Sequence, residues 1–548
     1  MSNLKASPFF LSDEQERWVA STLATLSDEE KIGQLFCVMG GDFSPETLRN
    51  MVAAGKVGSV LFRPVKPCEE IQADFAPLDA SARIPLLKAA NLEEGGSGGM
   101  SDGTLFGWPM LTAATDDEKI AEKFGAVCAS EGRRAGINWT FSPVCDLDLN
   151  FRNPITNVRT FGSNRERVTR MAQRYMDAVQ SRGVAACAKH FPGDGVDYRD
   201  QHLHPSYNTL PVEEWYRSYG AVYRSLIAGG LMSVMVGHIG QPYVAHEANP
   251  DLSDAELALP ASLSKTLLTD VLRGRLGFNG VITSDATIMG GYCMAMARRE
   301  AIPLSIMAGC DMLVFNTDFE EDSRYLCEAL LEGRLTRERL NEAVTRVLAL
   351  KAKVCFSAPP QEAVPAEKWH AEAADKAITL VKALDKKTLP ITPEKFPRIR
   401  LIALGKDDIL DGSVKAITHE ILEAEGFTVE DYDPFADELH GTAELPSDRL
   451  TLYMANFEHA SNQTVVRIPW CPKHALDIPR FIYEEPSVFV SLANPYHLQD
   501  VPRIRTYINA YTATKTVIRC ALEKLMGKSE FLGVSPVDPF CGLPDTRI

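Results

Sequence analysis

Apolar residues fall in short runs through the first two-thirds of the chain. The runs cover residues 34–38, 57–62, 86–90, 137–143, 184–189, 232–237, 280–284 and 311–315. Continuous apolar runs of this length read as strands buried on both faces, the habit of parallel sheets. Stretches with helical period lie between them. The clearest opens at Ser163 and Glu166, which match an S-x-x-E capping box. Val168, Met171, Ala172, Tyr175 and Val179 follow, mostly three or four apart. Gly183 then stands where a left-handed terminating residue belongs. Eight strand candidates alternating with helices predict a (β/α)8 barrel or an open doubly wound sheet. Periodicity alone does not separate the two.

A boundary follows the helix predicted over 340–353. Residues 356–365 read FSAPPQEAVP, with three prolines and no clear period, which is the composition of a linker. A second αβ pattern starts at Ala371, with a helical stretch over 371–381 and strand candidates at 399–403, 450–455 and 487–491. The expected division is therefore a barrel over 1–355, a linker over 356–370 and an α/β domain over 371–548. No tandem repeat is visible.

Composition narrows the partners. Lys and Arg number 57 against 73 Asp and Glu, a net charge of −16 over 548 residues. A surface of that sign argues against nucleic acid or anionic membrane as the main partner, because phosphate contacts need clustered basic side chains. No run approaches the roughly 20 apolar residues of a membrane helix, and the first ten residues lack the features of a signal peptide. Twelve cysteines are scattered singly, with no CxxC pair, which argues against a zinc ribbon or a thioredoxin-type site. The expectation is a cytoplasmic protein with reduced thiols. Oligomeric state is not readable.

Four segments carry candidate chemistry. The richest is KHFPGDGVDYRDQH, residues 189–202. Lys189 and His190 end a predicted buried strand, where barrel enzymes place substrate contacts, although a polar pair there can also serve only to satisfy loop carbonyls. Asp200 and His202 are spaced so that the carboxylate can fix the imidazole's tautomer and tune its pKa; alone, this is also compatible with a solvated loop. In GFNGVITSDATIMGG, residues 277–291, Asp285 follows a β-branched strand. A carboxylate there can attack an anomeric carbon, bind a metal, or cap the next helix. In NPITNVRTFG, Arg159 can clamp a substrate oxygen or pair with an acid such as Asp146. The fourth segment is ANLEEGG, residues 90–96. HExxH, the phosphate-binding GxxxxGK[ST] and a strand-borne GxGxxG are missing. The one GxSxG match, residues 95–99, reads GGSGG, with no helical pattern after it, and is expected to be a flexible loop rather than a nucleophile elbow.

In combination these segments resemble family-3 glycoside hydrolases, and most closely their β-N-acetylglucosaminidase branch. The branch motif KH-F/I-PG-x-G-x4-D-S/T-H is matched by Lys189, His190, Phe191, Pro192, Gly193, Gly195, Asp200 and His202. LSDEEKIGQLF, FSPVCDLD, NVRTFG and GFNGVITSDA are similar to the family in the same order, and the stretch from Ala371 resembles its second domain. The resemblance implies a barrel followed by an α/β sandwich. It implies a retaining double displacement with Asp285 as nucleophile, His202 as acid/base, Asp200 as its partner, and Arg159, Lys189 and His190 as sugar-binding residues. The loop position suggests a proton donor that arrives with the substrate and leaves with the product. Neither a metal nor an organic cofactor is required, and the partner is a small carbohydrate.

The departures bear on specificity. Gln201 stands where Ser or Thr is usual, and Asp194 where His is common. Where the branch reads D-x-E-G-G, the Asp position holds Leu92, beside Asn91 and Glu93. The leading expectation is an exo-acting β-N-acetylglucosaminidase working on chitin or cell-wall fragments. The alternatives are a family-3 β-glycosidase of other sugar specificity, a phosphorylase sharing the first step, and a catalytically silent sugar binder.

Overall fold

The structure is a computed structural model describing residues 3–356, 358–360, 362–436, 442, 445–458 and 461–548. By contacts the chain divides into two compact units. The first comprises Met1–Phe106, Ala121–Thr156 and Arg165–Pro365; the second comprises Gly107–Ile120, Asn157–Asn164 and Ala366–Ile548.

The first unit is a closed parallel barrel. Its strands are β1 (Phe36–Met39), β2 (Ser59–Leu61), β3 (Leu87–Ala90), β4 (Trp139–Thr140), β5 (Ala185–Phe191), β6 (Ser233–Val236), β7 (Val281–Ala286) and β8 (Met312–Val314). Each of the eight apolar runs overlaps one strand. The strands pair in chain order, and β8 closes on β1 with Phe36 opposite Leu313. Closure decides between the two architectures that periodicity left open. All seven residues of β5 are buried, as expected for a strand covered by side chains inside and helices outside. β7 ends in Asp285 and Ala286, and β5 carries Lys189 and His190 near its end, so the polar residues gather at the C-terminal mouth.

Three local expectations are corrected. The helix after Ser163 begins at Arg165, and it buries Val168, Met171, Ala172, Tyr175 and Val179 as its period demands. Ser163 is not its cap: the hydroxyl donates to the Pro536 carbonyl at 3.4 Å. GGSGG is not a loose loop either. It forms a short 3-10 turn, Gly96–Gly98, and a Cβ on Gly96 would fall 1.8 Å from the Glu131 carboxylate. The helix expected over 371–381 runs instead from Ala366 to Ala377 and gives way to a strand at Thr379. The linker reading is also shortened. The helix before it extends to Phe356, residues 357 and 361 lie outside the described residues, and the Pro359 and Glu362 carbonyls are held by Arg133 and Ser130.

The second unit is built on a six-stranded sheet. In chain order its strands are β9 (Thr379–Ala383), β10 (Arg398–Gly405), β11 (Thr428–Asp431), β12 (Arg449–Asn456), β13 (Ser487–Ser491) and β14 (Thr506–Asn509). The spatial order is β9-β14-β13-β12-β10-β11, and only β9 runs antiparallel to its neighbour. Its core includes Ile402, Tyr453, Phe489 and Tyr507, with the Phe489 ring stacked on both tyrosines.

Candidate active site

The loop leaving β5 can take its path only with glycine at two points. Gly193 and Gly195 have φ of +125° and +101°, and a Cβ at either would lie 2.0 Å from the Tyr219 ring or the Leu147 carbonyl oxygen, respectively. This turn folds the chain back over the barrel mouth and sets Asp194, Asp200 and His202.

Lys189 is buried and its Nζ donates to Glu93 Oε1 at 2.5 Å and to Asn91 Oδ1 at 3.2 Å. This explains the altered segment after β3. Leu92, at the position where an Asp was expected, points into the core, and its carbonyl accepts from the Tyr175 hydroxyl at 2.6 Å. Asn91 and Glu93, two residues apart, share the other face. Glu93 is thus a site residue that motif alignment overlooked; the alternation of side chains at the strand's exit was the signal that could have found it.

His190 is fixed from behind. Asp146, buried, accepts from the His190 backbone N–H at 3.1 Å and pairs with His190 Nδ1 at 2.7 Å. Its Oδ1 also accepts from the Asp194 N–H at 2.8 Å. His190 Nε2 is then turned to Asp285, 3.9 Å from its Oδ2. Asp194, one turn on, is buried against Asp146, and burial together with that neighbouring charge pushes its carboxyl up to about 6.

Asp200 and His202 form the expected pair. Asp200 is buried and its Oδ1 accepts from the His202 backbone N–H at 2.8 Å and from Nδ1 at 2.7 Å. The His202 side chain keeps 20% of its surface exposed. With Nδ1–H committed to a carboxylate, Nε2 is the nitrogen that can exchange a proton with a substrate oxygen.

Asp285 Oδ1 accepts from the Ala286 N–H at 2.7 Å, and Oδ2 is buried with no hydrogen-bond partner among the described residues. Burial opposes its ionisation, but the imidazoles of His190, His238 and His202 and the Ala286 N–H outweigh it and hold the carboxyl below its ordinary value of 3.8. It is therefore a carboxylate at neutral pH. His238, which sequence reasoning did not single out, follows β6. Burial pushes its pKa down to about 4, so the ring is neutral at neutral pH. Its Nε2–H donates to the Ala286 carbonyl at 3.0 Å, so Nδ1 accepts from the Ser262 hydroxyl at 2.8 Å. His238 thereby fixes the backbone next to Asp285.

The barrel mouth thus gathers Lys189, His190, Asp200, His202 and Asp285. Arg159 lies in the short 3-10 turn Asn157–Arg159, half-buried, in a segment that groups with the second unit. Among the described residues no group of three or more histidine, cysteine or carboxylate side chains is arranged to hold a metal ion, and no helix is long and apolar enough to cross a membrane. Chemically, the site offers a buried carboxylate with one uncommitted oxygen, and an imidazole backed by a second carboxylate.

Comparison with known proteins places the chain in a family. The profile of the glycosyl hydrolase family 3 N-terminal domain matches residues 27–350. A protein of Cellulomonas fimi named as a β-N-acetylglucosaminidase/β-glucosidase is 43% identical over the whole of both chains. A solved structure of the β-glucoside phosphorylase BglX is 44% identical, with a TM-score of 0.93 over 99% of each chain. A family-3 β-N-acetylglucosaminidase structure from Paenibacillus sp. strain FPU-7 shares the fold at 23% identity, with a TM-score of 0.77 over 95% of this chain and all of that one. The chain belongs to glycoside hydrolase family 3 and is an enzyme of that family.

Proposed function

We propose that this enzyme is a retaining exo-β-glycosidase acting on small β-N-acetylglucosaminides and β-glucosides, with Asp285 as nucleophile and His202 as acid/base. The observation that carries this reading is the pairing at one mouth of a buried, ionised Asp285 with one uncommitted oxygen and a His202 backed by Asp200. Asp285 attacks the anomeric carbon while His202 Nε2–H protonates the departing oxygen, giving a glycosyl ester on Asp285. His202, now neutral, takes a proton from the incoming acceptor, and the sugar leaves with its original configuration. Asp200 stabilises the protonated ring before the first step and again after the second. Lys189, Glu93 and His190 hold the sugar hydroxyls. The Cellulomonas relative, whose name covers both sugars, supports the two donor classes.

A second reading concerns the acceptor, and two observations favour it. An imidazole acid/base is neutral when the acceptor arrives, so it does not repel an anion as a carboxylate would. The BglX relative is named as a phosphorylase. In that reading inorganic phosphate takes the glycosyl group and yields a sugar 1-phosphate.

One experiment tests both readings. Aryl β-N-acetylglucosaminide, β-glucoside, β-xyloside and β-N-acetylgalactosaminide are assayed with and without inorganic phosphate, and the first product is identified by NMR. Turnover of the first two with retention is expected. Faster turnover in phosphate with a sugar 1-phosphate product selects phosphorolysis, and free sugar at an unchanged rate selects hydrolysis. Product of inverted configuration would overturn the double displacement.

A further inference from the structure

Gln201 lies between the two members of the acid/base pair, yet its own side chain is fully buried. Its amide oxygen accepts from the His238 N–H at 2.7 Å, just past β6. Its amide NH2 is 3.3 Å from Asp194 Oδ2, just past β5. Its backbone carbonyl accepts from the Gly291 N–H at 3.0 Å, and the next carbonyl, that of His202, accepts from the Gly290 N–H at 2.7 Å, both past β7. One residue thus joins the loop to the ends of three adjacent strands.

The surroundings are shaped to receive it. A Cβ on Gly291 would lie 2.7 Å from the Gln201 carbonyl oxygen, and one on Gly290 would lie 2.3 Å from that of Leu203. A Cβ on Gly237 would come within 3.0 Å of the Gln201 amide oxygen. Asp194 is itself held, accepting from Asn153 Nδ2 at 2.8 Å and from the Gly195 N–H at 2.7 Å, and donating its own N–H to Asp146. A Ser or Thr at 201 ends one atom beyond Cβ and carries no amide, so it cannot bridge His238 and Asp194 together.

We infer that Gln201 is a positioning residue that latches the Asp200–His202 loop against the ends of β5, β6 and β7, so that the acid/base is held in place before substrate binds. Asp146 is shared by His190 and Asp194, so the latch also ties the acid/base loop to the histidine that faces Asp285. The loop is part of the wall of the site rather than a lid that delivers and withdraws His202. This inference rests on the acid/base reading of His202, and the test separates the two.

Two variants are needed. Gln201→Met keeps the volume and removes both side-chain hydrogen bonds; Gln201→Ser also removes the volume. Hydrogen–deuterium exchange is measured across residues 194–208 in each intact variant and in the parent. Slow exchange in the parent, and exchange about tenfold faster or more in both variants, is the expected result. Kinetics are read on a β-glycoside with a dinitrophenol leaving group and on one with an alkyl leaving group. The variants should lose about tenfold to a hundredfold in kcat on the alkyl glycoside, with little change in KM and little loss on the dinitrophenyl substrate. A general weakening of the fold would lower both substrates alike. His202→Ala is the reference: if it too treats the two substrates alike, the acid/base reading fails, and the exchange data still decide whether the loop is latched. If His202→Ala discriminates and the Gln201 variants do not, or if the parent loop exchanges as freely as an open coil, the latch is overturned.

Discussion

At Asp285 burial and charge act in opposite directions, and charge wins. Desolvation alone would raise the carboxyl, whereas the surrounding imidazoles hold it below 3.8. On the proposed double displacement, Asp285→Ala should remove turnover by a factor of about 10³ or more, since no other group would replace the covalent nucleophile. The mutation leaves the fold in place, because the side chain's one described hydrogen bond is to its own neighbour, Ala286. Stability has a defined pH dependence. A carboxyl with a depressed folded pKa stabilises the native state above its unfolded pKa, and that contribution is lost as pH falls through the folded value. The excess of the parent over Asp285→Ala in an unfolding titration should thus be present at pH 7 and vanish on acidification; an excess that grew on acidification would contradict the charge balance described for Asp285. Asp285, Asp200, His202, Lys189 and His190 are legible in the sequence because motif spacing marks them. Asp146, Asp194, Gln201 and His238 were not, because their roles depend on pairings across separate strand ends. Asp146, which the sequence offers as a possible partner of Arg159, serves His190.

Among the elements, the eight apolar runs marked every barrel strand, because burial on both faces leaves a continuous signal. The boundaries were less legible: β4 occupies two residues of a seven-residue run, and the helix expected to start at Ala371 starts at Ala366. The last helix of the barrel, Arg337–Phe356, hides a feature that no pattern announces. Lys351 is fully buried, with Nζ on Gln34 Oε1 at 2.6 Å, while Gln34 Nε2 reaches the Gly55 carbonyl at 3.0 Å. Burial pushes the ammonium down to about 7 from 10.5. At 1.36 kcal/mol per unit, a shift of that size costs about 4–5 kcal/mol at pH 7. Lys351→Met should stabilise the protein at pH 7 by about 1–3 kcal/mol, the remainder being offset by the orphaned Gln34 oxygen. The gain is absent above the unfolded pKa, grows as pH falls from about 10 to about 7, and is level below that. Chemical denaturation at pH 7 and pH 9.5 measures it, and a variant less stable than the parent at pH 7 would show that Gln34 outweighs the charge.

On the scale of the whole molecule, the second unit is not a contiguous stretch of chain. The Val534 N–H donates to the Ala114 carbonyl at 2.9 Å, and Asn157 Nδ2 donates to Asn494 Oδ1 at 3.1 Å. The Trp108 N–H donates to Thr512 Oγ1 at 3.1 Å, and Lys376 pairs with Asp117 at 3.1 Å. A fragment covering residues 366–548 lacks all four partners. It should unfold over a broad range or aggregate, whereas the full chain melts cooperatively; a sharp thermal transition in the isolated fragment by circular dichroism would contradict this. Sequence reading placed the boundary in the linker because composition changes there, and composition carries no trace of two short excursions far upstream.

Those excursions also set a schedule for biogenesis. Residues 107–120 leave the ribosome long before the strands they belong with, at synthesis rates of roughly 5–20 residues per second. Met110, Leu111 and Ala113, all fully buried in the finished protein, must wait until the helix Ala366–Ala377, which packs on theirs, has been made. The nascent barrel therefore carries an unsatisfied apolar segment through most of its own synthesis, and residues made only after the barrel are what cover it.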